Sequence, residues 1–220
     1  MDNNNPWQKL PHDTYEKHMG HENVRQLEML SHIFGAQLTL ATDIPTPIIA
    51  ILGIAGGNGL ENIETGQFKS VIGMDINEEY LDFCRKRYSH LPELELYQID
   101  LMTEKTRAVD ILNQADLVAA NLIINHIHLD NFMDIIGELN KPIVSCVVQH
   151  NPDGQSLSQS GYESAFANIQ KHGRDHDEAA LTAAMRDIGY SLIYSNDYKL
   201  PNNKLFIRLD YKYFLNISLN

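Results

Sequence analysis

The sequence has few cysteines, no long hydrophobic run and no secretion signal, and each shortage excludes a class of protein. Its two cysteines, Cys84 and Cys146, are too few and too far apart for a disulfide framework, so we expect both to be small core residues. No apolar run reaches the roughly 18 residues that a membrane-spanning helix needs. Residues 1–6 lack the basic start and apolar middle of a secretory signal, which predicts a cytoplasmic protein.

Positive charge is also scarce. The 220 residues include 17 Lys and Arg against 29 Asp and Glu, which gives a formal net charge of −12. An acidic chain repels the phosphates of nucleic acids and anionic membrane surfaces. The basic run Arg85-Lys86-Arg87 is one turn of a predicted helix, where a solvated face is the expected role. We therefore expect a small-molecule substrate and neither a nucleic acid nor a membrane as partner; the oligomeric state is not indicated.

Short apolar runs alternate with helical patterns along most of the chain. The apolar runs lie at 47–52, 71–75, 94–100, 116–124 and 143–148. This alternation predicts βαβ units and a parallel sheet. Helical spacing also predicts an N-terminal helix over 13–34 and a last helix over 177–187, before two strands at 190–200 and 204–214 that form a hairpin.

The predicted fold is a single α/β domain over residues 1–220. It is a seven-stranded, Rossmann-like, three-layer αβα sandwich whose mostly parallel sheet ends in an antiparallel hairpin. Residues 1–35 form a helical cap on this domain.

A glycine-rich segment, residues 53–59, follows the first predicted strand and is predicted to open a helix. Glycine tolerates positive φ and lets a ligand approach the backbone without a Cβ clash. The free N–H groups and dipole of a helix N-terminus suit a carboxylate or phosphate. A tight turn without a ligand is the alternative interpretation.

Two acidic residues end the next two predicted strands. Asp75 lies 22 residues after Gly53, the spacing at which nucleotide-binding folds place an acid that accepts from ribose hydroxyls. Asp100 ends the third strand, where it is placed to accept from an adenine amino group. The alternatives are a helix cap or surface acid at Asp75 and a helix cap at Asp100.

Together these features resemble the class I S-adenosylmethionine-dependent methyltransferases, from about residue 13 to residue 214. The resemblance implies S-adenosylmethionine as the cofactor. It also implies roles along the binding site: the glycine-rich loop at Gly53, Ala55, Gly57 and Gly59, the ribose at Asp75, adenine packing at Ile76, the adenine edge at Asp100 and Leu101, and the methionine end at Asn121.

The sequence departs from the pattern of that family in the glycine-rich loop. Gly53 stands where the family usually has an acid, and Ala55 replaces the first glycine of its G-x-G-x-G. We therefore expect another group, such as a backbone carbonyl, to contact the ammonium of the cofactor.

Two other functions remain as alternatives. Gly53-x-x-x-Gly57-x-Gly59 also fits a nicotinamide-dependent oxidoreductase, but none of the ten tyrosines has the Lys four residues later that short-chain dehydrogenases need. The terminal hairpin also argues against this alternative. A module that binds S-adenosylmethionine without catalysis stays open.

Ten histidines raise the question of a metal site. His126-x-His128-x-Asp130 and His172-x-x-x-His176 have ligand-like spacing, but no His-Glu-x-x-His or Cys-x-x-Cys is present. We expect no metal.

Two features of the sequence bear on the identity of the methyl acceptor: a missing motif and two candidate general bases. The Asn/Asp-Pro-Pro-aromatic motif of nucleobase and glutamine methyltransferases is absent at residues 121–124, which disfavours those acceptors. A general base helps when the acceptor is a hydroxyl, thiol or acidic carbon. His126 and His150 follow the fourth and fifth strands, so both are candidates for it.

We expect two segments to cover the substrate. One is the N-terminal helix with His18 and Met19. The other is the polar loop over residues 151–174, which carries Tyr162 and Phe166 and is long for a connection. The sequence leaves open whether the methyl group goes to O, N, C or S.

Overall fold

The chain folds around one seven-stranded sheet. The computed structural model describes residues 5–152, 154, 157–172 and 178–214, and at residue 172 the backbone alone. The strands are β1 (Ile48–Leu52), β2 (Ser70–Asp75), β3 (Leu94–Gln98), β4 (Leu117–Asn121), β5 (Ile143–His150), β6 (Tyr190–Lys199) and β7 (Leu205–Tyr213). Their order in the sheet is β3-β2-β1-β4-β5-β7-β6. Strands β1 to β5 are parallel, whereas β7 is antiparallel to both β5 and β6. The predicted fold, including its terminal hairpin, is confirmed.

Helices cover both faces of the sheet. They are α1 (His12–Met19), α2 (Gln26–Leu38), α3 (Glu78–Arg87), α4 (Lys105–Leu112), α5 (Ile124–Ile127), α6 (Leu129–Glu138), α7 (Glu163–His172) and α8 (Glu178–Asp187). One face packs against α2 and α3, and the other against α4, α6 and α8. Within the described residues, no helix is both long and apolar enough to cross a membrane.

The central strand β1 shows why the apolar runs form strands. All five of its residues are buried, because successive side chains point to opposite faces and both faces carry helices. Ile49 and Ile51 join the core under α2 and α3, whereas Ala50 and Leu52 join the opposite core. Each buried Ile or Leu stabilises the fold by roughly 1.5–3 kcal/mol.

The single N-terminal helix predicted over 13–34 is wrong. The chain forms α1 and α2, separated by a turn in which Arg25 adopts a left-handed conformation with φ 47°. The apolar stripe that suggested one helix begins at Val24, so it marked α2 alone. The intervening Gly20 donates its N–H to the carbonyl of Glu16, 2.8 Å away, and ends α1.

The helix predicted after the glycine-rich loop is also wrong. Residues Leu60–Asn62 form a single 3-10 turn, and no α-helix lies between β1 and β2. The Glu61 carboxylate ties this turn to its surroundings by accepting from the Gly59 N–H and the Tyr88 hydroxyl, both at 2.9 Å. The loop therefore has no helix dipole behind it, and most of its N–H groups, including those of Gly53, Ala55 and Gly59, are bonded within the protein.

The fourth strand is shorter than predicted. It ends at Asn121, because Leu122 turns the chain with φ 59° and the short helix α5 follows. This turn moves the residues from 122 to 127 from the sheet into the wall of the cavity described next.

Candidate functional site

A cavity of about 350 Å³ lies at the carboxyl ends of the five parallel strands, β1 to β5. Neighbouring strands β1 and β4 connect onward to opposite sides of the sheet, and such a switch point is where open α/β sheets bind ligands. We divide the cavity in two by its strands. The glycine-loop half follows β1, β2 and β3 and is lined by Gly53, Ile54, Ala55, Asp75, Ile76, Tyr80, Asp100 and Leu101. The amide half follows β4 and β5 and includes Gln26, Asn125, His126, Gln149 and Asn151.

Asp75 is the anchor of the glycine-loop half. Its Oδ2 accepts from the Ala55 N–H and its Oδ1 from the Asn77 N–H, both at 2.9 Å. Burial raises the pKa of Asp75 to about 6, against the lowering effect of these N–H groups. At pH 7 the group is therefore largely ionised, and each oxygen keeps a lone pair for a ligand.

The loop beside Asp75 is shaped by backbone conformation. Gly53 and Ala55 both have positive φ, 71° and 49°, which is costly for the alanine and is held by its bond to Asp75. A Cβ at Gly53 would lie 2.9 Å from Ile123 Cδ1. Gly57 and Gly59 are not among the residues that line the cavity. Their lack of a side chain leaves room for core residues, because an added Cβ would lie within 3 Å of Cys84 and Tyr88 at Gly57 and of Phe34 at Gly59.

Asp100 combines the two roles that the sequence left open. It lines the cavity beside Leu101, yet its Oδ1 accepts from the Met102 N–H at 2.9 Å, as a local cap does. The second carboxylate oxygen leaves capacity for a ligand.

Two tyrosines complete this half, and sequence analysis missed both. Tyr15 of α1 and Tyr80 of α3 line the cavity with ring centroids 5.3 Å apart. Tyr80 is only 2% exposed, and its hydroxyl has no hydrogen-bond partner among the described residues. A buried, unpaired hydroxyl at a cavity wall indicates a ligand that pairs with it.

Asn121 sits between the halves, at the end of β4. Its amide forms a reciprocal pair with the Gln37 amide, at 2.8 and 2.9 Å. Gln37 also donates to Ser145 Oγ at 2.8 Å, and Ser145 donates to Asp210 Oδ1 at 2.5 Å. Asp210 in turn accepts two bonds from Arg208, at 2.9 and 2.7 Å. The network partners Gln37, Ser145, Asp210 and Arg208 are each at most 6% exposed. This buried network fixes the orientation of Asn121.

The structure separates the two candidate bases. His126 lines the amide half, where its ring meets that of Trp7 edge-on at 4.7 Å. Burial, with a smaller contribution from His128, lowers the pKa of His126 to about 4, so its imidazole is neutral at pH 7. His150 is exposed and does not line the cavity, because Gln149, one residue earlier on β5, points inward instead.

The segments predicted to cover the substrate border the cavity in part, and residues Glu163–His172 of the predicted loop form the helix α7. His18, Met19 and Phe166 line the cavity, whereas Tyr162 is exposed. The N-terminal segment and α7 share a small core of their own: Leu10, Phe166 and Ile169, with Trp7, Tyr15, Met19 and Leu157 against it. The side chain of Asn77 fastens this cover by donating to the carbonyls of Trp7 and Leu10, at 2.8 and 3.1 Å. Residues 153, 155, 156, 173 and 174 of the predicted loop lie outside the described residues.

No metal cluster is found in the part of the chain that the structure describes: no group of three or more His, Cys, Asp or Glu side chains there could hold an ion. Of the second histidine pair, His176 and the side chain of His172 fall outside that part.

Comparison with known proteins identifies the fold. No protein-family model and no curated protein sequence matches the chain. Among solved structures, the chain is similar to the magnesium protoporphyrin IX methyltransferase of Synechocystis PCC 6803 with bound S-adenosylhomocysteine, at a TM-score of 0.67 and 12% identity over 92% of this chain and 94% of that one. The same enzyme with bound S-adenosylmethionine matches at a TM-score of 0.66, 12% identity and 92% and 90% coverage.

A third similar structure shows how far this likeness extends. The [4+2]-cyclase SpnF matches at a TM-score of 0.62 and 9% identity, over 86% of this chain and 82% of that one. The chain has the class I methyltransferase fold. At these identities the fold alone does not decide the reaction.

Proposed function

We propose that this protein binds S-adenosylmethionine in the glycine-loop half and transfers its methyl group to a small molecule in the amide half. The ionised carboxylate of Asp75, held at the end of β2 beside the loop at Gly53 and Ala55, is the observation that carries the proposal. It meets the requirement for a group that accepts from two adjacent ribose hydroxyls.

The other residues of this half fit the rest of the cofactor. Ile76 and Leu101 are apolar walls for an adenine ring, and Asp100 is an acceptor for its amino group. Described cavity residues include no Lys or Arg, so neutral donors must bind the methionine carboxylate. The hydroxyls of Tyr15 and Tyr80 are suited to that role, and Asn121 to the methionine end.

When bound, S-adenosylmethionine supplies a methyl group on a sulfonium, a leaving group that needs no acid. The chain must therefore orient the acceptor and exclude water, which the cover of α1 and α7 does. A neutral ring nitrogen of His126 can take the proton of an acceptor hydroxyl. A weak base suffices, because that hydroxyl becomes strongly acidic as its oxygen gains the methyl group.

Thermal unfolding with added ligands tests the proposal. S-adenosylhomocysteine at 100 times its dissociation constant is expected to stabilise the fold by about 2.7 kcal/mol, or roughly 5–10 °C for a chain of this size. NAD and NADP are expected to give no shift. Stabilisation by NAD without any by S-adenosylhomocysteine would contradict the proposal and favour the oxidoreductase.

A second function is favoured by the cyclase of the same fold. The site then binds the cofactor without using its methyl group. Transfer of a labelled methyl from S-adenosylmethionine to any small molecule distinguishes the two functions.

A further inference from the structure

Three amide side chains form a connected row in the amide half. Gln26, at the start of α2, donates its Nε2 to Gln149 Oε1 at 2.9 Å. Gln149, on β5, donates its Nε2 to Asn151 Oδ1 at 2.6 Å. All three line the cavity, although they come from segments more than 120 residues apart in sequence. We call Gln26, Gln149 and Asn151 the amide row.

The two ends of the amide row are complementary. Within the described residues nothing donates to Gln26 Oε1, and Asn151 Nδ2 donates to nothing. Gln26 is 5% exposed, yet neither end atom is sealed away from the cavity. Since buried amides seek their full set of hydrogen bonds, one end offers an acceptor and the other offers a donor to a bound molecule.

The described residues that line the amide half carry no formal charge, although Lys204 and Glu163 lie behind them, near His18. Among the described residues lining the cavity, the two carboxylates, Asp75 and Asp100, lie in the glycine-loop half. Burial lowers the pKa of His18 and of His126, so both imidazoles are neutral at pH 7. The rest of the wall is neutral: it is apolar at Trp7, Leu30, Leu157, Phe166 and Ile169, and polar at Asn5, Asn125, Ser158 and Gln170. A charged molecule placed here would lose its hydration without gaining a counter-charge.

We propose that the acceptor is an uncharged, largely apolar phenol or related hydroxyl compound, recognised by hydrogen bonds to the ends of the amide row. This inference rests on the proposed function. The apolar body of this acceptor lies against the wall formed by Trp7 and Phe166, and its polar atoms pair with Gln26 and Asn151. Anions and cations are rejected because no described residue of this half neutralises them.

Three catechols of matched shape test the charge preference. 3,4-Dihydroxybenzamide is neutral, 3,4-dihydroxybenzoate is an anion and 3,4-dihydroxybenzylamine is a cation. Their dissociation constants are measured by calorimetry on protein saturated with S-adenosylhomocysteine. We expect the benzamide to bind at least tenfold more tightly than either charged analogue. Equal or tighter binding of a charged analogue, or no binding of all three, overturns the inference.

Failure of the proposed function has a different signature in the same experiment. If S-adenosylhomocysteine itself does not bind, the proposed function fails and the inference fails with it. If it binds and the catechols contradict the expected order, only the inference about the acceptor fails.

Charge substitutions in the amide row sharpen the test. Gln149→Glu and, independently, Asn151→Asp each place a carboxylate in the row, so we expect the preference to move at least tenfold toward the benzylamine. Gln67→Glu, on an exposed loop between β1 and β2, is the matched control and should leave the order unchanged. An unchanged order in both row variants, with intact binding of S-adenosylhomocysteine, overturns the inference.

Discussion

The two halves of the cavity are built in opposite ways. The glycine-loop half uses backbone N–H groups and two carboxylates, all supplied by the ends of β1, β2 and β3 and the loops that follow them. The amide half uses neutral side chains, including the imidazoles of His18 and His126, supplied by α2, α5, β5 and the cover. One half therefore offers fixed, charged acceptors, whereas the other offers neutral groups whose positions depend on several elements.

This difference separates binding from selectivity. A carboxylate held by two backbone donors cannot adapt, and it suits a ligand that is always the same. Side chains such as Gln149 and Trp7 can change without disturbing β1 or β2, because they lie outside the central cores. Under the proposed function, acceptor choice can then vary while the proposed cofactor site stays intact.

Removing the imidazole of His126 from the amide half is expected to have the largest effect of these substitutions on the rate of methyl transfer. His126→Ala should lower the rate of methyl transfer by about 10²-fold, at the low end of general-base effects because a base with a pKa of about 4 is weak. The affinity for S-adenosylhomocysteine should not change. Single-turnover rates provide the measurement, with His150→Ala as the control at an exposed position. A greater loss at His150 would reverse the assignment.

Removing the carboxylate of Asp75 is expected to break the other half. Hydrogen bonds to charged groups contribute roughly 1.5–3 kcal/mol each, so Asp75→Ala should weaken S-adenosylhomocysteine binding by about tenfold to a few hundredfold. Asp75→Asn should fall between wild type and Asp75→Ala. Calorimetric titration measures this, and unchanged affinity in a folded Asp75→Ala protein would show that Asp75 is only a structural cap.

The raised pKa of Asp75 also predicts how stability depends on pH. The folded protein holds this proton up to about pH 6, whereas the unfolded chain releases it near 3.8, the ordinary pKa of an aspartate. The group's contribution is therefore complete below about pH 4 and lost as pH rises through 6, a change of about 3 kcal/mol. In urea unfolding from pH 4 to 7, the stability of wild type minus that of Asp75→Asn should show this decline, because the buried His126 titrates in both proteins and cancels in the difference. Parallel curves would contradict it.

The sequence predicted the fold well because its signals were local. Apolar runs such as 47–52 and 71–75 are buried on both faces, and that burial is written in consecutive residues. The errors occurred where distant packing decides. The chain after Gly59 forms only a 3-10 turn, with Gly59 pressed against Phe34 of α2 and Glu61 bonded to Tyr88.

For the site, the sequence pointed to one half far better than the other. Asp75 ends β2, and Asp100 lies two residues after the end of β3, which is shorter than the predicted strand, so their position at the edge of the sheet still followed from the pattern. Gln26 and Gln149 have no spacing in common, and only the folded chain brings them together. Tyr80 could have been suspected, because it lies five residues beyond Asp75 in the first turns of the next helix.

Removing the hydrogen-bond partner of Asn121, which lies between the two halves of the cavity, tests whether this network supports stability and ligand binding. Gln37→Met removes the partner of both Asn121 and Ser145 while keeping the volume similar. Unpaired buried groups cost about 1–3 kcal/mol, so the melting temperature should fall by roughly 2–12 °C. The affinity for S-adenosylhomocysteine should fall as well, because Asn121 loses its fixed orientation. Gln67→Met at the surface serves as the control, and equal stability of the two variants would contradict the network.

The smallest expected effect concerns the cover, where α7 meets the N-terminal segment. His18 Nδ1 and Ser160 Oγ lie 2.5 Å apart and join these two parts. Ser160→Ala removes this bond, which contributes about 0.5–1.5 kcal/mol. The cover has its own small core, so the loss should appear as local opening and not as global unfolding. Limited proteolysis within residues 151–174 should accelerate about two- to tenfold, while the melting temperature stays within about 1 °C of wild type.

Saturation with S-adenosylhomocysteine and 3,4-dihydroxybenzamide should slow cleavage in both proteins, since a filled cavity holds the cover closed. Cleavage elsewhere first, or equal rates with and without ligands, would show that this segment does not open to admit the acceptor.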